Sequence, residues 1–285
     1  MPTGNRVLIT GGRGYVGRAI AEILSSAGWQ VVHLTKSPRS GSTDIPFDLN
    51  TGVDASALIG CDALVHCAYD FGPRSRADIW HTNVEGSRKL LEAAAIAGVG
   101  RIVVISTMSS FDGCHSLYGQ AKQAIEQLAR EYRAWVLRPG LVFGSNSGGM
   151  VGSLEAQIAK SPFQPVPNLG KQLLYLVHEE DLAEAVRIAL DKREPWREPV
   201  TIAHSTPWEF RSLLRQMASR LHRTIRILPV PWRLLWLPIR ALEAISPRTR
   251  LRSDSLVSLV NQNSLPVFNA GEALRLECRP YSPSV

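Results

Sequence analysis

Four apolar or β-branched residues near the N-terminus run directly into a glycine-rich turn: Val7-Leu8-Ile9-Thr10-Gly11-Gly12-Arg13-Gly14-Tyr15-Val16-Gly17. An amphipathic helix is predicted to follow, with Val16, Ile20, Ile23 and Leu24 on one face. Strand, glycine turn and helix in that order direct the chain toward the α/β class. Glycine enters positive φ at little cost and lets backbone segments approach closely where a strand hands over to a helix. The same layout receives a pyrophosphate, because the helix start offers unpaired N–H groups and a partial positive charge. Two registers fit the glycines, Gly12-x-Gly14-x-x-Gly17 and Thr10-Gly11-x-x-Gly14-x-x-Gly17. A tight turn with no ligand would use the same residues, so the rest of the chain has to decide.

The remainder alternates in the manner the first unit implies. Buried strands are predicted at 29–35, 63–68, 101–106 and 134–137, and helices at 84–98 and 118–133. Strands apolar on both faces and separated by helices describe a doubly wound parallel sheet of Rossmann type, with its ligand crevice at the carboxyl ends of the strands. Residues 70–80, containing Gly72-Pro73, read as a loop, and 145–170 break the alternation with glycines and prolines. A strand at 173–177 and a helix at 181–190 resume it. After Pro195 the chain becomes rich in Pro, Trp and Arg. The expected division is a nucleotide-binding core of 1–144 plus 171–192, and a smaller substrate lobe of 145–170 plus 193–285.

Composition narrows the partners. Of 285 residues, 45% are hydrophobic and 20% charged, which suits a globular chain with a large core. The net charge of +7 allows an anionic small molecule, and no basic run interleaved with aromatics points to nucleic acid. Cys61, Cys67, Cys114 and Cys278 lack metal-ligand spacing, so no metal is expected and reduced thiols in a cytoplasmic protein are. No stretch is apolar for the ~20 residues a membrane span needs. Residues 228–245, with Trp232, Arg233, Trp236 and Arg240, read as a helix of the lobe core; the alternative is a helix resting on a membrane surface.

Three features carry chemistry. The position after the second strand, where an acid would bond the ribose of NAD, is held by Lys36. With Arg13 in the turn and Arg39 nearby, this favours the 2′-phosphate of NADP over NAD, although Lys36 and Arg39 taken singly also read as solvated charges. Tyr118 and Lys122 lie one helical turn apart, and a nearby ammonium is expected to bring the phenol's pKa down from roughly 10 toward that of a usable acid/base. Ser106-Thr107-Met108-Ser109-Ser110 ends the strand before them, where a hydroxyl can polarise a carbonyl.

In order, these motifs resemble the extended short-chain dehydrogenase/reductase superfamily, in its NAD-dependent epimerase/dehydratase branch. The similar segments are Thr10-Gly11-x-x-Gly14-x-x-Gly17, Asp48-Leu49, His66-Cys67-Ala68, Asn83-Val84-Glu85-Gly86, Ser106-Thr107, Tyr118-x-x-x-Lys122, Arg138 to Gly144 and Val177 to Ala183. The resemblance implies Tyr118, Lys122 and Thr107 as catalytic, with Ser109 the fallback hydroxyl, because a second alignment puts Met108 at the Thr107 position. It implies cofactor contacts from Gly11, Arg13, Gly14, Tyr15, Val16, Gly17, Lys36, Asp48, Leu49, Cys67, Ala68, Asn83, Ser106, Lys122, Pro139 and Val142. The Asp-Glu pair of the dehydratases is replaced by Met108-Ser109, which argues against elimination, and Leu141 stands where sugar-nucleotide enzymes often have Asn. The expectation is an NADP-dependent oxidoreductase or epimerase of a small molecule, sugar nucleotides included. A cofactor-binding sensor or assembly factor without turnover is the alternative, and a homodimer is compatible with either.

Overall fold

The structure is a computed structural model that describes residues 5–145, 148–192, 194–245 and 252–282. Seven parallel strands form the main sheet: β1 (Arg6–Thr10), β2 (Gln30–Thr35), β3 (Ile45–Pro46), β4 (Ala63–His66), β5 (Arg101–Ile105), β6 (Trp135–Pro139) and, much later in the chain, β11 (Val200–Ile202). Their order across the sheet is β11-β6-β5-β4-β1-β2-β3. The order reverses between β1 and β4, and a crevice opens there beyond the strand ends.

Side-chain alternation builds a core on each face of this sheet. Val7, Ile9, Val65, Val103, Ile105 and Leu137 face helices α1 (Tyr15–Ser26) and α6 (Glu179–Asp191), meeting Ile20, Leu24, Leu182 and Val186. Leu8, Val32, Leu64, Ile102, Val104 and Val136 face α3 (Gly86–Ile96) and α4 (Leu117–Glu131), meeting Leu90, Leu91, Ile125 and Leu128. Most of these residues are fully buried. At about 1.5–3 kcal/mol for each fully buried aliphatic side chain, the two layers dominate the stabilisation of the sheet.

Three segments depart from the sequence reading. Residues 70–80 are only partly loop, because Ser75 caps a helix by accepting the Asp78 N–H through its hydroxyl. That helix, α2 (Arg76–Ile79), passes through a wide π turn (Trp80–Glu85) into α3. The stretch 145–170 contains α5 (Gly149–Lys160) and β8 (Phe163–Pro167), since Gly148 and Gly149 stand at the helix entrance, where glycine does not break it. The prolines of β8 lie in a two-stranded ribbon with β13 (Arg226–Val230), so they interrupt no central ladder. The region 173–177 divides between β9 (Leu173–Leu174) and β10 (Leu176–His178), which pair respectively with β12 (Trp208–Glu209) and β7 (Leu141–Phe143).

A further departure concerns the division of the chain. β11 was expected in the lobe and instead pairs with β6 at the sheet edge, and α10 (Ala270–Leu274) packs Ala270, Ala273 and Leu274 into the α1–α6 core. Asn269 fixes this edge: its side-chain oxygen accepts the Thr201 N–H at 2.9 Å and its amide donates to the Pro199 carbonyl at 3.1 Å. A third buried cluster joins Phe143, Val151, Ile158, Val166, Leu174 and Leu176 to Phe210, Leu213 and Met217 of α7 (Phe210–Arg220). Two further helices follow, α8 (Trp232–Ile245) and α9 (Ser253–Val260).

Candidate active site

The glycine turn shows which register the backbone uses. Gly11 has φ +65°, and its carbonyl accepts the Gly14 N–H at 2.9 Å. A side chain on Gly17 would come 2.3 Å from that same carbonyl, so strand and helix meet at a distance only glycine permits. Gly14 is the N-cap of α1, with no side chain capping it and no acid in the first turn. The first N–H groups of α1 therefore face the crevice without a side-chain acceptor, as an anion-binding helix start requires. Tyr15 and Val16 follow in that first turn; the Tyr15 ring packs against Gly148, and burial together with the Glu179 carboxylate raises its phenol pKa.

Thr10 organises the crevice floor. Its hydroxyl accepts the N–H groups of Cys67 and Ala68, both at 3.1 Å, and lies 2.7 Å from His66 Nδ1. His66 Nε2 lies 2.8 Å from the Ser87 hydroxyl, whose own proton goes to the Asn83 carbonyl at 2.7 Å. The proton order follows: Nε2–H donates to Ser87 and Nδ1 accepts from Thr10, so the ring is neutral. Burial, reinforced by the charge of Lys122, pushes His66 down to about 3. Burial likewise pushes the Cys67 thiol up to about 12. Asn83 accepts the Asp70 N–H at 2.7 Å and donates to its carbonyl at 3.0 Å, bracing the chain just beyond Ala68.

On the other side of the crevice, both basic candidates are already paired. Arg13 donates to Asp44 and to the Ser37 carbonyl, each at 2.6 Å. Burial opposes ionisation of Asp44, but the Arg39 N–H, the Ser42 hydroxyl and Arg13 outweigh it and hold the carboxyl below its usual range. Lys36 lies 3.1 Å from Asp48 and 3.4 Å from Asp70. Leu49 is buried with its carbonyl against Gly86, where a side chain would come 2.3 Å from it. Asp44 is the first acid after Lys36 in the sequence, eight residues further on, and the fold brings it back to Arg13 as an ion-pair partner.

The candidate catalytic groups converge at the end of β5. The Thr107 side chain stands near enough to the Tyr118 phenol to act on its ionisation, while its Oγ1 accepts the Ser109 N–H at 3.2 Å. Ser109 is engaged elsewhere, by Ser258 of α9 at 3.0 Å, and the Met108 N–H donates to the Pro139 carbonyl at 3.1 Å. Lys122 is buried, donates to the Ile105 carbonyl at 2.9 Å, and lies 5.1 Å from the centre of the Tyr69 ring. The expected lowering of the Tyr118 pKa is not found. Burial pushes the phenol up to about 12, with the Thr107 hydroxyl acting weakly against it, and burial also brings Lys122 down to about 8. Desolvation decides the outcome, and Tyr118 stays protonated at neutral pH.

Ser106 faces away from the crevice. Its hydroxyl donates to Glu126, which Arg138 clasps with two bonds of 2.8 and 2.6 Å. Pro139 is buried at the end of β6, and Val142 lies in β7 opposite Val177. Tyr69 and Phe71 form an aromatic wall beside Tyr118, with centroids 5.0 and 5.5 Å from its ring. One contributor gave no signal in the sequence. Asp254 of α9 accepts the N–H groups of Leu117 and Tyr118 at 2.8 and 2.9 Å, tying the C-terminal helices to the start of α4.

A doubly wound sheet, an uncapped helix start and a Tyr–Lys helix beside a strand-end hydroxyl make up a dinucleotide-binding architecture with candidate acid/base residues at its crevice. Residues 7–203 match the NAD dependent epimerase/dehydratase family, and the chain belongs to that family within the extended short-chain dehydrogenase/reductases. An uncharacterized protein of Mycobacterium tuberculosis is 32% identical over 194 residues, 65% of this chain, which span only 20% of that relative's length. A 4-hydroxy-2-methyl-3-oxo-4-farnesyl-3,4-dihydroquinoline-1-oxide ketoreductase of Stigmatella aurantiaca is 27% identical, covering 73% of this chain and 71% of its own. A ceramide reductase of Caulobacter vibrioides is 27% identical over 62% of this chain and 58% of its own. Among solved structures, MoeE5 in complex with UDP-glucuronic acid and NAD aligns with a TM-score of 0.76 at 20% identity, over 97% of this chain and 95% of its own.

Proposed function

We propose that the protein is a nicotinamide-dependent reductase of a lipophilic ketone or aldehyde, with Tyr118 as proton donor. The observation that carries the reading is a buried Tyr118 phenol that desolvation keeps protonated, with the Thr107 side chain beside it at the end of β5. A reduced nicotinamide, when bound, supplies a hydride to a carbonyl carbon. Thr107 then orients the carbonyl oxygen, and Tyr118 donates a proton to the alkoxide that develops there. Lys122 contributes positive charge at the strand edge while it holds its own proton. The crevice suits the cofactor: the uncapped start of α1 takes a pyrophosphate, and Gly11, Gly14 and Gly17 leave the space for its approach. NADP(H) is the preferred form, since Lys36 and no acid follows β2, with Arg13 at hand in the turn.

Substrate class rests on the wall of Tyr69 and Phe71, which offers apolar surface directly beside Tyr118. Two relatives, the farnesyl-dihydroquinoline-oxide ketoreductase and the ceramide reductase, agree with an apolar substrate better than with a charged one. Epimerisation through the same site would require a second, reverse hydride step on the opposite face of the oxidised product.

The test is NADPH oxidation against a panel of long-chain ketones and nucleotide-linked keto sugars. Turnover of the long-chain ketones, reduced by roughly two to four orders of magnitude in Tyr118→Phe, is expected. Full activity in that variant would overturn the mechanism. Tight NADPH binding with no turnover of any substrate would favour a sensor instead, and inversion without net cofactor consumption an epimerase.

A further inference from the structure

Helix α8 turns an apolar face outward. Leu234 is 61% exposed, Leu237 57%, Leu242 41% and Ile245 81%. At 100° per residue these four, together with Pro238 and Ala241, fall within an arc of roughly 140° along one side of the helix. The residue opposite that arc, Glu243, is buried. Its carboxylate accepts the Ser253 N–H and hydroxyl at 3.1 and 2.6 Å and lies 3.6 Å from Arg252 and 3.7 Å from Arg240. Breaking this network would leave a buried carboxylate unpaired, so the helix is not free to roll its leucines inward. The expectation of a lobe-core helix is therefore not met: the apolar arc faces solvent.

We propose that this face of α8 seats the protein on the surface of a bilayer containing anionic lipids. Charge decides the occupant. Arg233 and Arg240 are exposed along one edge of the apolar arc, while Glu243, the helix's single acid, faces inward and is shared between two guanidinium groups. An isologous contact with a second copy would bring the Arg233 side chains of both copies toward one seam, while the single acid of α8, Glu243, is already engaged by Arg240 and Arg252 of its own chain. Anionic headgroups answer exposed basic side chains directly. Trp232 and Trp236 fall on the Glu243 side of the helix and are half-buried, which leaves the apolar arc to the aliphatic side chains. The adjoining β8–β13 ribbon adds exposed Phe163 and Leu228. Fourteen residues are too few to cross a bilayer, so the helix lies along the surface. Membrane seating stands independently of the reaction proposed above.

Flotation of the full chain with vesicles tests the idea, using phosphatidylcholine alone and phosphatidylcholine mixed with phosphatidylglycerol. The protein is expected to float with the mixed vesicles at low salt and less so at high salt. Leu237→Asp with Ile245→Asp should reduce the floated fraction about tenfold or more at an unchanged melting temperature. Arg233→Glu should weaken the preference for anionic vesicles, and Leu234→Ser is a milder check should the double variant melt early. Failure of the parent to float on either vesicle would overturn the proposal. So would a dimer in solution that Leu237→Asp dissociates, because the face would then be a protein interface.

Discussion

At Tyr118 and Lys122, burial acts on a neutral acid and a cationic one together, raising the first and lowering the second. Lys122 holds its proton below about 8 and loses it above. The rate of reduction should therefore be level through neutral pH and fall as pH rises through about 8, measured as initial rates at saturating NADPH. Lys122→Met should lower the plateau and remove that limb, whereas an unchanged profile would show that the ammonium is not used. Arg13 allows a second prediction, because its charge is already shared with Asp44. Arg13→Ala should weaken NADPH binding about tenfold while leaving NADH nearly unchanged, and Asp44→Asn should strengthen NADPH. A constant NADPH-to-NADH ratio of dissociation constants in both variants would remove Arg13 from cofactor choice. Tyr118, Lys122 and the glycines were legible because their chemistry depends on local spacing. Asp254 was not, and neither was the pairing of Asp44 with Arg13, since each contact is made by the fold and no periodicity announces it.

Helix α4 is held at its start by two side chains from distant parts of the chain. Ser116 supplies the local cap, accepting the Gly119 N–H at 3.1 Å, and Asp254 takes the two N–H groups before it. A carboxylate at a helix start gains from the partial charge there as well as from its hydrogen bonds. Asp254→Ala should cost about 1–2 kcal/mol of stability by denaturant titration. Since Tyr118 N–H is one of the two donors, kcat should also fall several-fold while the NADPH dissociation constant stays constant. A change in stability alone would make Asp254 a cap and nothing more. The alternation of strands and helices could be read from apolar runs, and the sheet follows it closely. The helix at 76–85 could not, because Gly72-Pro73 suggested a loop and the signal that overrides it is the single Ser75–Asp78 contact.

For the molecule as a whole, pH dependence of stability concentrates at His66. Its folded value of about 3 lies below the ordinary histidine value of 6.5, so the unfolded chain takes up the proton first. Its contribution is complete above pH 6.5 and is lost as pH falls toward 3, at up to about 1.4 kcal/mol per pH unit. Protonation would place an N–H at Nδ1 against the Thr10 hydroxyl and dismantle the bonds joining β1 to β4. Melting temperature against pH should show this decline, and His66→Asn should flatten it; identical curves would place the acid sensitivity elsewhere.

The strand β11 carries a consequence for how the chain reaches this state. On the ribosome, β6 is made some sixty residues before its outer neighbour, so one side of the sheet stays open while α5, β8 and α6 are synthesised. The clasp from Asn269 arrives later still, nearly seventy residues after Thr201. Through that interval the growing chain presents an unsatisfied edge, the geometry that recruits another strand from a neighbouring chain. Closure of the sheet is a late event in synthesis, and the C-terminal residues act on the solubility of the nascent protein as well as on its final shape.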